Sequence, residues 1–305
     1  MITGRARSGA LVALLIAAAA CSREPAGGSK GGGALAEVRS LLSERRYDDA
    51  LARLGDAADP EAAYLAGRAW AGKAESAPAP IGAPGGPPAA SLLKPEEQRA
   101  LGFYERAVAA RPDFGDAHVA IAELLAPHAV ASAAALPAAV PRGKAGAPGA
   151  AAPDPLVDRV LSSYGNAMQS DLAGTQAAEA LIAFATRVGR TSEADSAFQE
   201  LVRRRREDQA LLVRYGDFLA GPAGNPEAAL AQYAQALIWK PDDTATKLKM
   251  AEIHLAAAAA YLRDLQYVQA EARLKYAKRY AVDPASPQAK RLAELEGRVR
   301  EIRGR

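Results

Sequence analysis

The sequence predicts an all-α protein, a solenoid of helix-turn-helix units closed by a C-terminal capping helix, and three observations carry that prediction. Alanine dominates the 305 residues, leucine and arginine are plentiful, and aromatic residues make up only 6%. Alanine has the best helix propensity of all residues. The stretch Ala100-Leu-Gly-Phe-Tyr104-Glu-Arg-Ala107, with Pro112 five residues further on, places a large aromatic between two small residues and then a helix stop. That spacing fixes how two helices touch, and it recurs around Ala50, Val160, Ala194 and Ala229. Finally, Leu292, Leu295, Val299 and Ile302 give the last stretch one apolar side among charges, as a stack needs to cover its final open face.

The chain opens with a basic head containing Arg5 and Arg7, an apolar run from Ala10 to Ala20, and then its single cysteine, Cys21. The run is too short to span a bilayer and ends in small residues, so 1–20 reads as a secretory signal. Its end resembles a bacterial lipoprotein lipobox, with Ala18 where leucine is usual. The resemblance implies that Cys21 is lipidated and becomes the first mature residue. An unpaired thiol is otherwise an odd export into an oxidising compartment. The alternative is ordinary cleavage at an A-x-A site, giving a secreted or periplasmic protein without lipid. Two or more acyl chains at about 0.8 kcal/mol per buried methylene anchor stably where one does not. Ser22 in place of aspartate implies, by the same resemblance, the outer membrane, facing the periplasm.

Removal of Arg5 and Arg7 with the signal leaves 36 basic against 35 acidic side chains. Such a balance gives no electrostatic footprint for nucleic acid. Residues 21–33 form a lipidated cysteine and a Gly/Ser-rich tether, which at about 5–6 Å times the square root of length holds the body on the order of 20 Å from lipid. Lys30 among glycines lacks the spacing of a phosphate loop.

The folded body is predicted over 34–305. Leu35, Val38, Leu41 and Leu42 begin it at helical spacing, and Ala50, Leu54 and Ala57 follow as a first unit with a degenerate end at Pro60. Gly67 and Trp70 read as a first helix whose small residue admits its neighbour. A Pro/Ala/Gly stretch at about 73–94 predicts a disordered insertion that splits this unit before Pro95-Glu-Glu restarts a helix. His118, Ile121, Ala122 and Leu125 start the next unit. A second insertion, at about 127–153, delays its partner helix with Val160, Tyr164 and Ala167. Ala178, Leu181, Ile182 and Ala185 pair with Ala194, Phe198 and Leu201; Tyr215, Gly216 and Leu219 pair with Ala229, Tyr233 and Ala236. The unit with Met250, Ala251 and His254 leaves two registers open for its second helix, Ala270/Leu274/Ala277 or Ala272/Tyr276/Pro284.

The Ala100 to Pro112 motif and its recurrences resemble tetratricopeptide (TPR) repeats, whose period is about 34 residues. The resemblance implies about six TPR-like repeats in a right-handed α-solenoid. It also implies a concave groove lined by first helices between the packing anchors. Carried over residue by residue, the groove positions are Val119 and Glu123, Glu179 and Ala183, Val213 and Asp217, and Leu248 and Glu252. That lining is apolar with acidic points. It departs from the branch of the family that clamps a terminal carboxylate with lysine and asparagine, so the partner expected is a protein or peptide with a basic or amphipathic segment.

The remaining chemistry-bearing residues have structural readings. Arg203 to Arg206 end a helix, where cations oppose its negative pole, with contact to an anion as the lesser reading. His118, His128 and His254 lie far apart and match no metal-ligand spacing. No nucleophile elbow, His-Glu-x-x-His or Cys/His pair is present, so no enzyme activity, cofactor or metal is expected. The function expected is a lipid-anchored scaffold or adaptor for an envelope, secretion or pilus complex. The alternative is an accessory protein binding a small molecule or glycan, which calls for aromatics facing the groove.

Overall fold

The computed structural model describes residues 31–77, 93–135, 154–170, 173–281 and 283–303. The signal segment, Cys21, the tether up to residue 30 and the middles of both insertions lie outside the described residues. Thirteen helices are present among the described residues, and no strand. They are α1 (Gly31–Ser43), α2 (Tyr47–Leu54), α3 (Pro60–Ser76), α4 (Pro95–Ala110), α5 (Gly115–Ala135), α6 (Pro155–Met168), α7 (Gly174–Arg187), α8 (Thr191–Arg204), α9 (Gln209–Ala220), α10 (Pro226–Trp239), α11 (Thr244–Arg263), α12 (Tyr267–Tyr280) and α13 (Pro287–Arg303). Odd and even helices pair into six TPR-like units, each packed on the next, and α13 closes the stack against α11 and α12.

The starts of these helices follow from capping. Asp59, Asp154, Asp208, Asn225 and Asp243 each accept backbone N–H groups of the first turn, and prolines occupy the first positions of α3, α4, α6 and α10. Within units, the small residue of one helix admits the large residue of its partner. A Cβ added to Gly67 would lie 2.5 Å from the Tyr104 ring, and one added to Gly216 would lie 2.4 Å from the Tyr233 ring. Tyr104 is only 3% exposed, and Phe198 and Tyr233 are buried likewise. Phe198 stacks on Tyr215 with ring centroids 5.0 Å apart and meets Phe218 at 5.1 Å. Burying a side chain of this size contributes about 1.5–3 kcal/mol, so the tyrosines hold the two helices of a unit together and Phe198 holds one unit to the next.

The split units form regardless of what separates their halves. Lys94 Nζ donates to the carbonyls of Ala74 and Ala77, both at 2.7 Å, closing the C-terminus of α3 from the first residue before α4. That satisfies acceptors a helix end otherwise leaves open. The second split is shorter than the sequence suggests. Helix α5 runs through Pro127 to Ala135, where the insertion was expected from about 127. Alanine-rich propensity and the burial of His128 and Ala129 outweigh the proline, which costs about 3 kcal/mol in a helix interior. By length and apolarity α5 passes as a membrane span. It instead packs against α4, α6 and α7, with Ile121, Ala122 and Leu125 buried.

Three further details differ from the sequence pattern. Helix α1 starts at Gly31, inside the stretch expected as tether. Helix α2 stops at Leu54 because Gly55 turns the chain at φ 55°, so Ala57 lies beyond the helix, itself at φ 45°, though still buried. Helix α12 takes the Ala270/Leu274/Ala277 register, which leaves Tyr276 53% exposed at the edge of the packed face.

Candidate functional site

The predicted groove positions separate into two sets. Glu179 of α7 receives Arg214 of α9 at 2.7 Å, and Asp217 of α9 receives Lys249 of α11 at 2.6 Å on both oxygens. Glu252 of α11 receives Arg291 of α13. Two pairs join one first helix to the next and the third joins α11 to the closing helix α13, so three of the four acidic positions are already matched by a base. Asp217 also accepts the Tyr233 hydroxyl at 2.8 Å. Burial, with that carboxylate beside it, pushes the Tyr233 hydroxyl far above its ordinary value. Val213 and Leu248 are half-buried between these pairs, and Ala183 is exposed. Glu179, Asp217 and Glu252 thus keep a surface position and each lies in an ion pair. The signal for this pairing was present in the sequence as an acid and a base separated by roughly one repeat period, Glu179 to Arg214 being the clearest.

Glu123 is the exception, with no ion pair among the described residues. It stands on α5 between two adjoining hollows. One, of about 590 Å³, is lined by Tyr64, Arg68 and Glu75 of α3, Tyr104 of α4, Asp116, Val119 and Glu123 of α5, and Gln176 of α7. The other, of about 510 Å³, shares Glu123 and Pro127 and adds Tyr164, Ala180, Ala183, Phe184 and Arg187. Where the later first helices carry the base that pairs with the preceding acid, α7 presents Gln176, Ala180 and Ala183, and its Arg187, which lines the second hollow, makes no ion pair with Glu123 among the described residues. Val119 and Glu123 are thus the two predicted positions that the structure brings together in a cavity.

The electrostatics of this site follow from its shape. The Glu123 side chain is exposed, but the walls displace much of the bulk water around it. That desolvation raises its carboxyl above the ordinary glutamate value, with Arg68 opposing. The hydroxyl of Tyr164 is pushed up to about 12, by burial first and by Glu123 second. Tyr64 and Tyr104 are raised as well, by burial first, with Glu123 adding to both and Arg68 lowering both. The Tyr64 ring lies 6.0 Å from Tyr104 and 5.2 Å from Phe114. Pro127, having no N–H, cannot donate the helical bond to the Glu123 carbonyl. Asp116 and Glu75 make no ion pair among the described residues either, nor do the cations Arg68 in this hollow and Arg187 in the adjoining one. Lys94 is held by its carbonyls. Aromatic rings around an unmatched carboxylate suit a lysine or arginine side chain, which both groups attract.

Sequence reasoning missed Tyr64, Arg68 and Pro127. The first two sit on the far side of an insertion, and the third looked like a helix end. The histidines take structural places. His118 Nε2 lies 2.8 Å from the Pro112 carbonyl, His128 pairs with Glu97 at 3.2 Å, and His254 stacks between Tyr276 and Tyr280. Among the described residues no group of three metal-ligating side chains gathers.

No protein-family model and no curated protein matches the chain. Among solved structures it is similar to PilF of Pseudomonas aeruginosa, at 11% identity and a TM-score of 0.41 over 87% of this chain and 96% of that one. It is similar to the C-terminal part of a TPR repeat-containing protein from Cytophaga hutchinsonii, at 10% identity and a TM-score of 0.41 over 85% and 98%. It is also similar to YrrB, a TPR protein with an unusual peptide-binding site, at 15% identity and a TM-score of 0.34 over 65% and 84%.

Proposed function

We propose that this chain is a binding scaffold that takes a basic or amphipathic segment of a protein partner into the hollows formed by α3, α5 and α7. The observation that carries the reading is Glu123, the one predicted acidic position without a matching base, set among Tyr64, Tyr104 and Tyr164. A partner lysine or arginine would meet the carboxylate and the Tyr64 ring while its apolar neighbours cover Ala180 and Ala183. Charge-assisted contacts of this kind contribute about 1.5–3 kcal/mol. Titrating a fluorescein-labelled Lys/Leu/Ala helical peptide onto the protein tests it. Glu123→Lys is expected to weaken binding at least tenfold, equivalent to about 1.4 kcal/mol, while unchanged binding would remove the reading.

The lipid anchor and the envelope role belong to the same proposal and rest on the sequence of the first 21 residues. Lipidated at Cys21, the scaffold would work at the periplasmic face of a bacterial outer membrane, in the assembly of an envelope, secretion or pilus complex. Replacing Cys21 by Ser should release the protein from the membrane fraction, and an unchanged fraction would count against lipidation. The half-buried Tyr64 at the wall of the hollow also favours a second reading, a small molecule or glycan stacked there. That reading predicts binding that survives Glu123→Lys and fails on Tyr64→Ala.

A further inference from the structure

A separate crevice of about 640 Å³ opens between α8, α9 and α10, and its composition is unlike that of the hollows at Glu123. Its walls carry Arg203 and Arg206 on one side and Gln232 and Gln235 on the other, over a floor that includes Val202 and Leu212. No acidic residue lines it. Three of the other junctions between second helices carry an ion pair, Glu105 to Arg159, Asp158 to Arg190 at the start of α8, and Glu227 to Arg273, while α2 and α4 share none among the described residues. Among the described residues none joins α8 to α10. At that junction α10 turns Ala231, Gln232 and Gln235 towards the bases of α8, where an acid would close the gap.

The groups left over are therefore specific. Arg203 is held bidentately by Glu200, with contacts of 2.6–2.8 Å, but Arg206 makes no ion pair among the described residues. It falls just past the end of α8, where the repeat pattern calls for proline, so the local turn does not need its guanidinium. The amides of Gln232 and Gln235 likewise have no hydrogen-bond partner among the described residues. A guanidinium binds carboxylate in a planar fork, and a primary amide can donate to and accept from a peptide backbone at once. One free base is too little to track a nucleic-acid backbone.

We infer that the crevice between α8 and α10 is a second docking site, taking an extended acidic segment of a partner protein with a carboxylate on Arg206 and its backbone on Gln232 and Gln235. It supplies the missing acid at this junction from outside the chain. The site is distinct from the hollows at Glu123 and opposite to them in the charge it selects.

The test is fluorescence anisotropy with a labelled ten-residue peptide alternating glutamate and alanine, beside the same peptide with glutamine for glutamate. Binding of the acidic peptide only, weakened about tenfold by Arg206→Glu and severalfold by Gln232→Ala, is the expected result. Glu123→Lys should leave it unchanged, so failure here is distinguishable from failure at the other site. Equal binding of both peptides, retention in Arg206→Glu, or no binding to the native protein would each overturn the inference.

Discussion

From α7 to α13 each first helix hands a base to the acid of the one before it, whereas from α3 to α7 the corresponding acid is left unmatched. The architecture is the same on both sides of α7, and the helices pack through the same small and large residues. What differs is one side chain per repeat. Arg214, Lys249 and Arg291 close the later positions, while Gln176, Ala180 and Ala183 leave Glu123 open. On the proposed reading, a TPR-like stack is self-contained or receptive according to its surface charge, with the same packing in its core.

The largest effect should come from the core that both regions share. Leu125 is fully buried beneath the open region, and Leu125→Ala is expected to cost about 2–5 kcal/mol in urea unfolding. Next come the two glycines that admit tyrosines. Gly67→Ala in the open region and Gly216→Ala in the paired one should each cost about 1–3 kcal/mol through overpacking. Only Gly67→Ala should also weaken peptide binding, because Tyr104 borders the hollow and Tyr233 does not. Comparable losses of binding in both variants would mean that the hollow has no special part in recognition.

Smaller again is the loss of a single rung. Lys249→Ala removes a half-exposed pair and should cost up to about 1 kcal/mol, shrinking as salt is raised. Charge titration should run in opposite directions in the two regions. Glu123 has a raised carboxyl, so folding favours its protonated form. Its region should gain stability as pH falls from neutral towards the ordinary glutamate value, and Glu123→Gln should abolish that gain. Asp243, which caps α11, is held below the ordinary value, by the Thr246 hydroxyl first. Its contribution is present above the ordinary aspartate value and is lost as pH falls through the lowered one. Melting curves of Glu123→Gln and Asp243→Ala between pH 7 and pH 3 check both signs.

The packing was legible because volume at fixed spacing is a local property. Ala100/Tyr104/Ala107, Val160/Tyr164/Ala167 and Ala229/Tyr233/Ala236 are all buried where the pattern places them. Features that depend on a balance of terms were not legible. Pro127 alone argues for a helix end, and only packing of the following turn overrides it. The two registers of α12 differ by which face meets α11 and α13, which no single helix records. Charge matching was the least legible, since an acid reads as open until its partner a repeat away is known to reach it.

The central claim, that receptivity lies at Glu123 and not along the paired face, is tested most directly by one titration of the Lys/Leu/Ala peptide onto Glu123→Gln and Glu252→Gln side by side. The account predicts a severalfold or greater loss for Glu123→Gln and native affinity for Glu252→Gln. Native affinity for Glu123→Gln with a loss for Glu252→Gln would contradict it.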